Sequence, residues 1–195
     1  MYPPPYYTDP DPAFARRVME ENSFALLVVD GLNATHLPLV LNDAGEVEGH
    51  VARSNPIAHA MGREALAVFS GPHGYVSATL YDDPGRQVPT WNYASVQLRG
   101  RLEALSDDDV VPHLARVAAS YEGEGGWSVD AAPDYVARLV GGIRAFRIRE
   151  AELRAFRKMS ANKTPAIRKR IIDAARAAGD TAFAREMGRA LDGES

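Results

Sequence analysis

Three short segments of this sequence concentrate polar side chains where a plain structural strand needs none: Thr35-His36-Leu37-Pro38, Gly49 to Pro56, and Pro89 to Tyr93. In the second, Arg53, Ser54 and Asn55 set a guanidinium, a hydroxyl and an amide side by side at the end of a strand-like run. Bidentate and neutral donors in that order suit a phosphate. In the third, Trp91 and Tyr93 are two residues apart, so on a strand they share a face and offer an aromatic wall to a planar ligand. The same residues also have ordinary structural uses, the rings as core fillers and Arg53 as the mate of a nearby carboxylate. The five histidines, at 36, 50, 59, 73 and 113, lack metal-ligand spacing. His36 and His50 fall on adjacent predicted strands, but no local Asp or Glu completes a zinc site, and no metal is expected. GxSxG, HExxH, P-loop and strand-linked GxGxxG patterns are missing. No catalytic residue is assigned.

The elements that carry these residues follow from hydrophobic period and turn chemistry. Asp11-Pro12 is a helix start, an Asp cap with Pro at the first helical position, and Phe14, Val18 and Met19 continue it to about Glu21. Residues 24–30 and 34–42 read as strands, Asp43-Ala44-Gly45 as a hairpin turn, and 47–52 as the third strand. A helical turn follows Asn55-Pro56 to Met61. Strands are predicted at 65–71, ended by Gly71-Pro72, and at 74–81, then a polar loop at 82–89. The run 91–105 alternates cleanly, with Val96, Leu98, Gly100, Leu102 and Ala104 opposite Gln97, Arg99, Arg101 and Glu103. Gly100 marks a bend or bulge. Helices are expected at 106–122, 133–139, 165–178 and 181–191, and a last strand at 143–150. Consecutive short strands joined by turns must close on themselves to protect their edges, which a small antiparallel barrel does.

Composition bounds the rest. The chain has 195 residues, 46% of them hydrophobic and 25% charged, as in an ordinary globular protein. It has no cysteine, which excludes disulfides, thiolate metal sites and cysteine nucleophiles. The longest apolar run, Phe24 to Val29, is six residues, too short for a membrane helix. A Pro-rich start without a secretory core makes the cytoplasm the expected compartment. The net charge of −4 hides an asymmetry: Arg144 to Arg176 holds 11 Lys/Arg and 3 Asp/Glu, leaving 11 basic and 23 acidic groups elsewhere. Such a split suits an anionic partner, or else a solvated face.

In order along the chain, ATHLPLVL, GHVARSNP, FSGPHGYVS, VPTWNYASV and KMSANK resemble the motifs of the PaiB-type family of FMN-binding negative transcriptional regulators. The match runs from Met1 to about Ile172. It departs at Ala78-Thr79-Leu80, at Gln97 and at Ala161, where the family's residues differ. The resemblance implies a mainly β fold with added helices (α+β), a split β-barrel of the pyridoxamine-phosphate-oxidase type spanning residues 1–160 with a helical extension at 161–195. It implies a homodimer with FMN at the subunit interface. Carried over by motif, Thr35, His36 and Leu37 line the flavin ring. His50, Ala52, Arg53, Ser54 and Asn55 handle ribityl and phosphate. Thr90, Trp91, Asn92 and Tyr93 lie against the flavin, and Lys158, Ser160 and Asn162 close the site. A regulatory role through DNA would draw on the basic helix and its Arg168, Lys169, Arg170 and Arg176. The alternatives are a haem-binding or flavin-free barrel, with His36, His50 or His73 as axial ligand, and an FMN-dependent oxidoreductase without a regulatory role.

Overall fold

Strand-favouring runs separated by Gly, Asn and Asp turns place most of the first hundred residues in a sheet. The computed structural model describes residues 4–31 and 33–193, so the first three residues of the Pro-rich lead lie outside the described region. Six strands, β1 (Phe24–Val29), β2 (Asn33–Leu41), β3 (Val47–Ala52), β4 (Glu64–Val76), β5 (Thr90–Ala104) and β6 (Ile143–Lys158), close an antiparallel barrel in the order β1-β2-β3-β6-β5-β4. The β1–β2 hairpin pairs Leu26 with His36, and β3 pairs His50 with Ala145 of β6. Among the described residues there are also five α-helices, α1 (Pro12–Glu21), α2 (Asp107–Glu122), α3 (Pro133–Leu139), α4 (Pro165–Ala177) and α5 (Thr181–Asp192), and several short 3-10 turns.

The helix ends follow the capping residues. Thr164 accepts from Ile167 N and Asp180 accepts from Phe183 N, which satisfies first-turn amides of α4 and α5. Gly179 and Gly193, both at positive φ, stop these helices.

Two differences from the sequence reading concern strands. The predicted break at Gly71-Pro72 does not occur, and 65–71 with the start of 74–81 form the single strand β4. Its buried positions are odd from Ala65 to Gly71 and even from Gly74 to Val76, so an extra residue at Pro72-His73 shifts the phase. A bulge of this kind tolerates Pro inside a strand because that residue leaves the hydrogen-bond ladder. The last strand also runs past residue 150 to Lys158. Residues 149–154 are all exposed, so they give no alternation for a sequence pattern to detect. At Gly100 the demand for glycine is a close approach: a Cβ there would sit 2.4 Å from the carbonyl oxygen of Arg149.

The chain divides into two compact units. The barrel unit comprises Asn22–Phe69 and Gln97–Leu153, and its core includes Leu27, Leu39, Phe69, Leu102 and Phe146. The helical unit comprises Met1–Glu21, Ser70–Val96 and Arg154–Ser195, with Phe14, Ile171, Phe183 and Met187 buried in it. Inside that unit α4 packs on α5, and Phe183 lies against Gly74, where any side chain would collide with its ring.

Candidate functional site

In the barrel unit, alternation along β3 sends Val47, Gly49 and Val51 one way and Glu48, His50 and Ala52 the other. Gly49 faces the core, since a Cβ there would meet Leu39 and Phe146. Glu48 and His50 therefore lie on the opposite face, which α2 covers. On α2, His113 and Arg116 are three residues apart and share a helix face. The two pairs meet. His50 Nδ1 lies 3.0 Å from His113 Nε2, and His113 Nδ1 lies 3.3 Å from Glu48 Oε2. Arg116 donates to Glu48 Oε2 at 2.6 Å, and Asn42 Nδ2 donates to Glu48 Oε1 at 2.9 Å.

This polar chain is buried: His113 is 0% exposed and Glu48 3%. Burial pulls the pKa of His50 down. It does so more strongly for His113, which burial and the neighbouring His50 lower to about 4 against the opposing pull of Glu48. Both rings are thus neutral at pH 7. Unfolded, His113 would titrate near its ordinary value of about 6.5 and so bind more protons than the native state below that pH. Stability is accordingly expected to be at its plateau above about pH 6.5 and to fall as pH drops toward 4. Urea unfolding at pH 7 and pH 4.5 checks this, with His113→Gln expected to flatten the difference. An equal slope in the variant would assign the loss to other groups.

Two depressions lie in this unit. One, of about 440 Å³, is walled by Val117 and Tyr121 of α2, by Trp127, and by Tyr135 and Leu139 of α3, with His50 as a polar lining group. The other, of about 300 Å³, contains Arg53, Arg144, Asp107 and Gly141. Val140 and Ile143 border both. Arg53 is exposed, and its Nε donates to Gly141 O at 2.6 Å, which orients the guanidinium and leaves its two terminal nitrogens without a bond to any described residue. Ser54 beside it is exposed. Asn55 Oδ1 accepts from Ile57 N at 2.9 Å and starts the helical turn Pro56–His59.

The other expected residues of this unit lie on β2. His36 is exposed and stacks on Phe24, ring centres 5.9 Å apart. Thr35 is half-buried. Leu37 belongs to the core, so a ligand on that surface would meet its backbone.

The remaining expected residues belong to the helical unit. Trp91 and Tyr93 do share a strand face, and Trp91, 54% exposed, stands edge-on to Tyr75 and beside His73. Asn92 points inward from the same strand: it is buried and donates to Ser160 Oγ at 2.8 Å. Lys158 Nζ donates to Thr90 Oγ1 at 2.8 Å, and Asn162 is exposed. Asn92 Nδ2 is held by Ser160 Oγ and Met187 Sδ inside the unit, while its buried Oδ1 has no hydrogen-bond partner among the described residues. Trp91 and Asn162 are available at the surface.

Sequence reasoning missed His113, Arg116 and Glu48. The usable signal was Glu48 and His50 at i, i+2 in a strand expected to be half-buried, which requires a polar group from elsewhere. Among the described residues, no cluster of three or more His, Asp or Glu has the arrangement to hold a metal ion.

The fold is thus a closed six-stranded antiparallel barrel, and its unit carries a depression that holds two arginines and an aspartate. Residues 1–151 match the family model described as "Putative FMN-binding domain", and the chain belongs to that family. It is 30% identical over 174 residues to "Protease synthase and sporulation protein PAI 2" of Bacillus subtilis, covering 84% of this chain and 83% of that one. This agrees with the PaiB-type motifs. Among solved structures, the flavocytochrome Anf3 of Azotobacter vinelandii superposes with a TM-score of 0.63 at 17% identity, covering 78% of this chain and 69% of that one. An FAD- and heme-binding protein of Mycobacterium smegmatis superposes with a TM-score of 0.61 at 16% identity, covering 89% of this chain and 80% of that one. These structures show the shared fold.

Proposed function

We propose that this protein binds FMN, with Arg53 as the principal phosphate ligand and Arg144 and Ser54 beside it. The observation that carries the reading is the Arg53 guanidinium, braced through Nε on Gly141 O and open at its terminal nitrogens. A dianionic phosphate wants a pre-oriented guanidinium with further donors close by. The two arginines in one depression of about 300 Å³ fit that group; the Asp107 side chain at its edge does not. His36 and Phe24 offer an exposed flat surface on the same unit. Bound FMN supplies one- or two-electron redox chemistry, and the chain holds and orients it.

Purified protein is expected to show flavin absorbance after incubation with FMN. Arg53→Ala is expected to raise the FMN Kd by about ten-fold or more, since a charge-assisted hydrogen bond is worth roughly 1.5–3 kcal/mol. Colourless protein that takes up no FMN would overturn the reading, and a Soret band on adding haemin in its place would assign a tetrapyrrole.

A homodimer, with the cofactor near the contact between copies, is part of the same proposal. Sedimentation of the protein with and without FMN tests it. A role as a negative transcriptional regulator, which the PaiB-type motifs imply, belongs to the same proposal. Direct DNA contact through α4 has less behind it. Arg168 is buried, Arg170 binds Leu80 O and Asp82, and Lys169 and Arg176 both lean on Asp173. The charge of Arg170 is answered within the unit, and Lys169 and Arg176 share a single carboxylate.

A further inference from the structure

The 440 Å³ depression between α2, α3 and β3 has a composition that the phosphate site does not explain. We propose that it is a second ligand site, for a flat, uncharged aromatic molecule carrying one hydroxyl group that donates to His50 Nε2. The inference does not depend on FMN binding at Arg53.

Three observations lead to it. The first is the wall. Tyr121, Trp127, Tyr135 and Leu139 are each about half exposed although they face a common hollow, so a contiguous apolar surface is left open to water. Three of these four are aromatic, and aromatic walls favour a planar occupant. The volume lies in the range of small-molecule sites.

The second is the polarity of the one group at its inner side. Arg116 and Asn42 hold the Glu48 carboxylate 3.3 Å from His113 Nδ1, outside good hydrogen-bond geometry. A lone pair on Nδ1 would face the anion, so the electrostatics place the His113 proton on Nδ1. His113 Nε2 is then the acceptor, and His50 must donate its Nδ1–H to it. That leaves His50 Nε2 with a lone pair and no hydrogen-bond partner among the described residues. The buried relay thus presets His50 as an acceptor, and its ligand has to bring a proton.

The third is charge. No Lys or Arg lines the hollow, and the one carboxylate in its wall is that of Glu122, which accepts from Trp127 N at 3.3 Å. An anionic ligand would find no counter-charge and would face a carboxylate. A phenol-type hydroxyl meets all three requirements: an apolar ring, no charge, and one donated proton.

Calorimetric titration of the full-length protein with 2-naphthol, naphthalene and 2-naphthoate tests the proposal. The expected order is 2-naphthol tightest, naphthalene about ten-fold weaker, and 2-naphthoate weaker still. His50→Phe should remove the ten-fold advantage of naphthol over naphthalene. Val117→Trp should fill the hollow and abolish binding of both while FMN affinity stays as in the parent. Arg53→Ala should leave naphthol affinity unchanged. If His50→Phe does not fold, Tyr135→Ala on the exposed rim should weaken both aromatic ligands. Equal affinity for naphthol and naphthalene, tighter binding of 2-naphthoate or of benzyltrimethylammonium, or no binding of naphthol would each overturn it. Stoichiometric displacement of naphthol by FMN would also overturn it, by making the hollow part of the flavin site. A protein that binds naphthol but not FMN would sink the flavin reading and leave this one standing.

Discussion

Replacing Glu186 by Ala is expected to destabilise the protein by about 3–5 kcal/mol, the range seen when one member of a buried ion pair is removed. Glu186 on α5 is 1% exposed. Arg17 NH1 lies 2.9 Å from its Oε2, Arg157 Nε lies 3.1 Å from its Oε1, and Arg189 NH1 lies 3.7 Å away. Burial alone would lower the pKa of Arg17, but Glu186 and Glu21 more than offset it and the value is raised. Without Glu186, Glu21 stays beside Arg17 and Arg189 and Asp9 beside Arg157, each more exposed than the buried carboxylate that is lost. Arg168 nearby makes matters worse, since burial and Arg157 already lower its pKa. At roughly 2–4 °C per kcal/mol for a chain of this size, the melting temperature should fall by about 10 °C. Glu186→Gln should lose most of the same stability while keeping the volume, which separates charge from packing. A loss below about 1 kcal/mol in both variants would mean that water already screens the cluster.

The second large effect is expected at Glu48, in the barrel unit. Its carboxylate anchors Arg116, Asn42 and His113 together. Glu48→Ala removes the counter-charge of Arg116 and the group that presets His113, at an expected cost of about 3–5 kcal/mol. Glu48→Gln should retain the bond from Asn42 and cost less, but it should free the His113 ring to change tautomer. Urea unfolding gives the stability, and nitrogen-15 shifts of the two imidazoles give the tautomers. Unchanged shifts in Glu48→Gln would show that Glu48 does not set the His113 proton.

The charge excess between Arg144 and Arg176 illustrates how such residues divide between the two kinds of reading. As a sum it suggested an anionic partner. In the structure Arg147 and Arg149 bridge Glu46 and Glu103, Arg157 serves Glu186, and Arg170 serves Asp82. Summation along the chain counts cations but not their distance from carboxylates far away in sequence. Arg53 is the converse case. Its place at the end of β3 followed from local turn chemistry, and its orientation came from Gly141, a carbonyl 88 residues away.

By itself, the sequence determined the elements whose signals are local. β3 has the bounds read from its pattern, as does α3, and α2, α4 and α5 start at their capping residues or at the position after them. Period and caps act over a few residues, so a linear reading captures them. It also carried the ordered motifs that mark the family. Tertiary structure alone decided that Pro72 would be absorbed into one strand, and that Asn92 would turn inward to Ser160 while Trp91 turned outward. It alone joined Glu48 and His50 to His113, 63 positions beyond His50, and thereby settled which nitrogen of His50 is left for a ligand. The reason is physical: a buried polar group takes its role from whatever satisfies it, and that group is chosen by packing in space, not by neighbourhood along the chain.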